Sequence, residues 1–87
     1  MEEYTPGGRL LTKYAAFRLA NRPVDVDDVI DNFSQRFLQE DGAEVFIKRH
    51  STNSYDVVIA DDGEIVTVLA DVSKREIRNL AHNYGWR

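Results

Sequence analysis

Residues 55–76, with the sequence YDVVIADDGEIVTVLADVSKRE, decide the fold class. Two runs rich in Val and Ile flank the dipeptide Asp62-Gly63, which readily adopts the positive φ angles of a two-residue hairpin turn. The pattern predicts two antiparallel strands, over residues 55–60 and 64–70. The second strand is apolar on both faces, so we expect it to be covered on both sides.

A helix is predicted directly after this hairpin. Ser73 and Glu76 have the spacing of a capping box, in which each side chain accepts a hydrogen bond from the backbone N–H of the other residue. Gly85 suits the left-handed conformation that ends many helices. Four residues recur on one face of the helix and are expected to pack on the sheet: Ile77, Leu80, Ala81 and Tyr84.

Upstream of the hairpin, the sequence predicts one further strand over residues 43–50 and two helices. The first helix runs from about Arg9 to Pro23, because the residue before a proline is disfavoured in a helix. The second begins at Asp25, a good N-cap, and ends at Gly42. Its apolar stripe is formed by Val26, Val29, Ile30, Phe33 and Phe37.

These elements predict an α+β fold with two N-terminal helices, a three-stranded antiparallel meander and a C-terminal helix. The predicted domain covers residues 9–87. Residues 1–8 are expected to form a flexible N-terminal arm, because Pro6, Gly7 and Gly8 disfavour regular structure.

The composition excludes several classes of function. The 87 residues include no cysteine, which removes disulfides, thiol catalysis and cysteine-ligated metal sites. Apolar runs reach only four residues, and the first four residues, MEEY, do not resemble a secretory signal, so we expect a cytoplasmic protein with no membrane contact. The net charge is −4, yet residues 1–22 carry +2 and residues 73–87 carry +3, so a local basic patch forms if the two ends meet.

Among local clusters, the run Lys48-Arg49-His50 is the strongest candidate for a functional site. Its cations suit a phosphate, and a histidine can transfer protons near neutral pH; the alternative is an ordinary polar strand end. The only other histidine is His82, and the two do not have metal-ligand spacing, so no metal and no cofactor are expected. Tyr84 and Trp86 either bind a partner or, in the case of a terminal tryptophan, dock on the protein's own core.

Three stretches together resemble the small RNase-toxin superfamily, which includes RelE/ParE-type toxins and colicin-type tRNase domains. The resemblance covers roughly residues 10–70. Members combine N-terminal helices with an antiparallel sheet, and many carry a helix of the form His-x-x-x-Arg-x-x-x-Arg and a strand ending in Gly-x-Ile-x-Thr. The matching stretches are YAAFRLANR at 14–22, VDVDDVI at 24–30 and YDVVIADDGEIVTV at 55–68.

The resemblance implies metal-independent binding and cleavage of RNA, or an inactive descendant of such an enzyme, with an immunity or antitoxin protein or a host target as partner. Arg18 and Arg22 match the helix arginines, and Thr67 matches the hydroxyl late in the strand. Tyr14 stands at the position of the helix histidine, which leaves His50 as its substitute. The implied catalytic residues are His50, Thr67 and Arg18; the implied RNA-binding residues are Arg22, Lys48 and Arg49.

A non-enzymatic, acidic protein-binding module is the alternative. Phage or plasmid accessory factors, inhibitors and antitoxins are proteins of this kind. Small size, acidity and the lack of a complete catalytic motif favour this reading.

Overall fold

The structure, a computed structural model, describes residues 2–87. Within this range three helices and a six-stranded sheet are formed. In chain order the elements are β1 (Glu3–Tyr4), β2 (Leu10–Leu11), α1 (Lys13–Asn21), α2 (Val26–Asp31), β3 (Gln35–Leu38), β4 (Glu44–Ser51), β5 (Ser54–Asp61), β6 (Glu64–Val72) and α3 (Lys74–Tyr84).

The sheet is mixed, with the strand order β1-β2-β6-β5-β4-β3. All neighbouring strands are antiparallel except β2 and β6, which are parallel. The predicted α+β class agrees with this architecture, but the prediction of a three-stranded meander that follows two N-terminal helices is wrong. The three predicted strands correspond to β4, β5 and β6, and three short strands extend the sheet beyond them.

The sheet separates two apolar cores, because successive strand residues point to opposite faces. α1 and α2 cover one face, where Ala15 and Val29 pack with Phe46, Val58 and Val68. α3 covers the other face. There the core contains Val45, Ile47, Val57, Ile59, Val72 and Trp86, with Ile77, Leu80 and Ala81 of α3 packed against it.

The predicted second helix ends much earlier than Gly42, because its last part pairs with β4 instead. The Asn32 N–H donates to the Asp28 carbonyl and ends α2, and the Ser34 N–H then donates to the Ile47 carbonyl at 2.7 Å. Phe37, expected on the helical stripe, lies in β3 and stacks on Trp86, with ring centroids 6.2 Å apart. Pairing with a long neighbouring strand thus outweighs the helical spacing of the apolar residues.

The first helix likewise begins later than Arg9. Leu10 and Leu11 pair with β6, and Thr12 caps α1 by accepting a hydrogen bond from the Ala15 N–H at 3.1 Å. β1 lies within residues 1–8, which were expected to be a flexible arm. No helix within residues 2–87 has the length and hydrophobicity needed to cross a membrane.

Asp27 of α2 holds the turn between β1 and β2. Its carboxylate accepts hydrogen bonds from the Thr5 hydroxyl at 2.8 Å, the Gly7 N–H at 2.8 Å and the Arg9 guanidinium at 2.7 Å. A Cβ at position 7 would lie 2.7 Å from this carboxyl group, so a larger residue there would displace the carboxylate from the turn. Arg9 also reaches Asp31 at 3.1 Å.

The local signals around the β5–β6 hairpin and α3 are confirmed. Asp62 and Gly63 have φ angles of 51° and 79°, as a primed two-residue turn requires. Ser73 and Glu76 form the complete capping box, and Gly85 ends α3 with a φ of 63°. Tyr84 differs from the expectation, because 52% of its surface remains exposed.

Replacing the capping serine should destabilise the protein. We expect Ser73→Ala to lower the free energy of unfolding by about 1 kcal/mol, since it leaves an N-terminal amide of α3 without its acceptor. Ser51→Ala, at an exposed position at the end of β4, is the control and should change stability by less than about 0.5 kcal/mol. Urea unfolding measures both variants, and equal stability of the two would contradict the role of the cap.

Asp27 should make stability depend on pH in the acidic range. Burial raises the pKa of Asp27, but the hydrogen bonds from Arg9, Thr5 and Gly7 outweigh it, and the net pKa is lowered. A carboxylate with a lowered pKa stabilises the fold above its unfolded pKa of about 3.9 and loses that contribution as pH falls through the folded value. Asp27→Asn should cost about 1–2 kcal/mol at neutral pH, and the difference from wild type should shrink below about pH 4.

Asp31→Asn is the matched control, because Asp31 receives a single bond from the same arginine and is largely exposed. Unfolding of the wild type and both variants by urea between pH 2.5 and 7 tests the assignment. A pH-independent difference between wild type and Asp27→Asn would contradict it.

Candidate functional site

The edge of β6 that faces β2 is open along most of its length. β2 pairs only with Glu64 and Ile65. Beyond that point, among residues 2–87, no strand pairs with this edge. Two side chains partly cover it: the Thr12 hydroxyl donates to the Val66 carbonyl at 3.3 Å, and Arg18 Nε donates to the Val68 carbonyl at 2.7 Å.

α1 forms one wall of a groove along this edge and advances in the same direction as β6. Thr12 lies beside Val66, Arg18 lies beside Val68, and Arg22 lines the groove together with Ala70. Because N–H and C=O groups of alternate strand residues point to the same side, the backbone of Ala70 is expected to face the groove, as that of Val68 does.

Exposed aromatic side chains extend this wall. Tyr14 and Phe17 are 55% and 65% exposed. The Arg18 guanidinium lies 5.7 Å from the centre of the Tyr14 ring and donates to its hydroxyl at 3.3 Å. Phe17 and Asn21 line a hollow that adjoins the groove, with a volume of about 230 Å³.

α3 forms the opposite wall, and the end of β6 forms the floor. The groove has a volume of about 470 Å³, which is in the size range of ligand sites. The α3 wall is mostly polar: Glu76, Asn79, Leu80 and Asn83.

The charged groups in the groove differ in how they are satisfied. Asp71 accepts a hydrogen bond from the Ser54 hydroxyl at 2.6 Å, and Glu76 is engaged in the capping box. Within the described part of the chain, Arg18 and Arg22 form no ion pair, although Arg9 and Arg36 each contact a carboxylate. An acidic protein thus presents two arginines without a carboxylate partner in this groove.

The basic run at the end of β4 is divided between the two faces of the sheet. Lys48 forms an ion pair with Asp28 of α2, so it lies on the α1–α2 face. Hydrogen bonds from Lys48 and Asn32 lower the pKa of Asp28. Arg49 is paired with Tyr55, which packs against the core on the α3 face.

His50 lies at the exposed end of β4. Its Nδ1 is 3.9 Å from Asp56 Oδ2, and 70% of its side-chain surface is exposed. Asp56 is directly opposite Lys48 in the β4–β5 ladder, so these groups form one polar cluster on the α1–α2 face.

Thr67 lies apart from the other residues implied by the resemblance. It is paired with Ile59, whose side chain belongs to the core on the α3 face, so Thr67 points to that face as well. Arg18 comes from the opposite face. The structure therefore brings Arg18 and Arg22 together in the groove and Lys48 and His50 together near Asp56, and it does not bring Thr67 to either group.

Trp86 is part of the core, whereas Tyr84 is on the surface. Trp86 is 8% exposed, and its Nε1 donates to Gln39 Oε1 at 3.0 Å. The adjacent Arg87 exchanges two backbone hydrogen bonds with Leu38, of 2.8 and 2.9 Å, which fix this segment against β3. Trp86 therefore has little surface left for a partner.

The open edge and the α3 wall were not identified from the sequence. One signal for them was present in α1. Phe17 is two residues from buried Ala15, which on a helix is a rotation of about 200°, so Phe17 must face away from the core. Tyr14, three residues earlier, is exposed as well, and exposed apolar residues that lie side by side are a sign of a binding surface.

Comparison with known proteins finds no matching family model, no matching curated protein and no matching solved structure. The function is therefore inferred from the contacts and charges of the site.

Proposed function

We propose that this protein is a non-enzymatic binding module that takes up an extended segment of a partner protein as an added strand on β6. The observation that carries the proposal is the open edge of β6 at the floor of a groove between α1 and α3. An unpaired strand edge offers N–H and C=O groups to an incoming chain, and strand addition is a common mode of peptide recognition.

The two walls suit a ligand in extended conformation. Side chains of a strand alternate between the two faces of a sheet, so those of an added strand alternate between α1 and α3. On one side they meet Phe17 and the two arginines, and on the other side they meet Asn79 and Leu80. Backbone hydrogen bonds would supply affinity, and the walls would supply selectivity.

A second copy of this chain is a less suitable occupant of the edge. Antiparallel pairing of two β6 strands about a twofold axis would bring the α1 helices of both copies to the same face. Arg18 and Arg22 of each copy would then approach those of the other, where like charges repel. The charges of the groove thus favour a different protein.

Cleavage of RNA is the second candidate function, and the His50–Asp56 pair is the observation in its favour. A carboxylate near an imidazole can orient it as a proton-transfer group. The ion pair of Lys48 with Asp28 leaves this cluster with less free positive charge for phosphates. The groove therefore supports binding of a protein segment better than this cluster supports catalysis.

Strand addition should depend on the Ala70 N–H. Peptides are selected on the wild-type protein from a phage-displayed library of random twelve-residue sequences, and their affinities are measured by fluorescence anisotropy. Ala70→Pro removes the N–H and should weaken binding about fivefold or more, since a net hydrogen bond is worth about 1 kcal/mol. Ala70→Val keeps the N–H and is the matched control, which should bind close to wild type.

Amide resonances of ¹⁵N-labelled protein locate the binding site. Shifts confined to β6, α1 and α3 are expected. Shifts centred elsewhere, equal binding by the two Ala70 variants, or a dimer in light scattering that excludes the peptides would overturn the proposal.

The second candidate function has its own test with pooled RNA. A binding module should leave the RNA intact. If wild type cleaves RNA, and His50→Ala abolishes the cleavage while His82→Ala does not, the enzymatic reading replaces the binding module. His82 is the control because it lies exposed near the end of α3, away from Asp56.

A further inference from the structure

We infer that the segment bound at β6 carries acidic side chains at two alternate positions, i and i+2, which lie against Arg18 and Arg22. The inference rests on the proposed function, because it needs a strand in the groove. It specifies the chemistry of the partner as an extended segment of the pattern acidic–uncharged–acidic.

The spacing of the two arginines matches a strand and supports this pattern. Arg18 lies in the last turn of α1, and Arg22 is the residue that caps its end, where its N–H donates to the Arg18 carbonyl. Four residues of helix correspond to a rise of about 6 Å. Two residues of a strand span about 6.6 Å. Arg18 bonds to the Val68 carbonyl, and Arg22, one helical turn further on, lines the groove together with Ala70, the next alternate residue of β6. An added strand therefore places side chains i and i+2 opposite them.

The hydrogen bonding of Arg18 is suited to an exchange on binding. Its Nε now donates to the Val68 carbonyl, which is an acceptor that an added strand would use. When a ligand N–H takes over this carbonyl, the guanidinium is released and can donate to a carboxylate. A guanidinium presents a planar set of donors that matches a carboxylate with two parallel bonds.

The α3 wall disfavours an acidic side chain at ligand position i+1. Residue i+1 of the ligand points toward α3, where Glu76 and the nearby Asp71 supply negative charge. Asn79 and Leu80 on the same wall accept an uncharged side chain. A continuous acidic run would therefore place carboxylates against carboxylates, which distinguishes an alternating segment from a general polyanion.

Synthetic peptides test the spacing directly. The starting sequence is the peptide that binds most tightly after the display selection. Four versions of it are synthesised, in which positions i to i+2 are Glu-Val-Glu, Gln-Val-Gln, Glu-Glu-Val or Lys-Val-Lys. Glu-Val-Glu should bind the wild type about tenfold more tightly than Gln-Val-Gln at low salt, and Glu-Glu-Val should gain less. The advantage should shrink as salt is raised, because exposed charges are screened.

Charge reversal on the protein supplies the matched control. Arg22→Glu should lose the preference for Glu-Val-Glu and bind Lys-Val-Lys better than wild type does. Lys13→Glu makes the same change of charge on the same helix, but Lys13 is outside the lining of the groove, so its preference should remain that of wild type. Thermal unfolding confirms that both variants are folded.

The outcomes separate this inference from the proposed function. Equal affinity for Glu-Val-Glu and Gln-Val-Gln, with amide shifts still at Val68–Val72, would overturn the acidic pattern and leave strand addition standing. Absence of shifts at the β6 edge with every peptide would overturn both. Displacement of Glu-Val-Glu from wild type by an equal concentration of oligouridylate would show that the groove selects negative charge in general, and this too would overturn the acidic segment.

Discussion

The pairing of β5 with β6 is the interaction on which the rest of the structure depends. The turn at Asp62 and Gly63 sets its register, and both faces of the hairpin are buried. Val57 and Ile59 belong to the core under α3, whereas Val58 belongs to the core under α1 and α2. A slip of one residue would exchange these faces and remove the apolar surface from both helical layers at once. Because the hairpin contributes to two cores, its register is strongly specified. The same register fixes which residues of β6 lie at the groove.

The position of α3, and with it one wall of the groove, is fixed from the turn between β4 and β5. Asn53 has a φ of 58°, and its side chain accepts a hydrogen bond from the Lys74 N–H at 3.0 Å, at the start of α3. Ser54 donates to Asp71, which has a φ of 57° next to the irregularity at the end of β6. These contacts tie the turn, the end of β6 and the capped helix together. Trp86 and its bond to Gln39 hold the other end of the helix. The α3 wall is thus held near both of its ends by hydrogen bonds to neighbouring segments.

Elements that depend on neighbouring residues were predictable from the sequence, and those that depend on distant pairing were not. The Asp62-Gly63 turn and the Ser73 capping box act over four residues or fewer, so their side chains suffice to specify them. Leu10 and Leu11 are compatible with a helix and become a strand only because β6 accepts them. Residues 35–38 change from the expected helix to β3 for the same reason, with β4 as the partner. At the candidate site, the resemblance drew attention to Arg18 and Arg22. The groove itself could not be predicted without the strand order, since a strand edge is open only where no other strand pairs with it.

Arg18 links two demands on the same strand edge. An unpaired edge invites self-association, and proteins commonly protect such edges with charged side chains. Here the Arg18 guanidinium covers the edge by donating a hydrogen bond to the Val68 carbonyl, and it lies against the ring of Tyr14. The covering is a side chain and not a strand, so a ligand can displace it one hydrogen bond at a time. Under the proposed function, an edge that is covered by a side chain but not paired with a strand therefore favours a partner that binds reversibly.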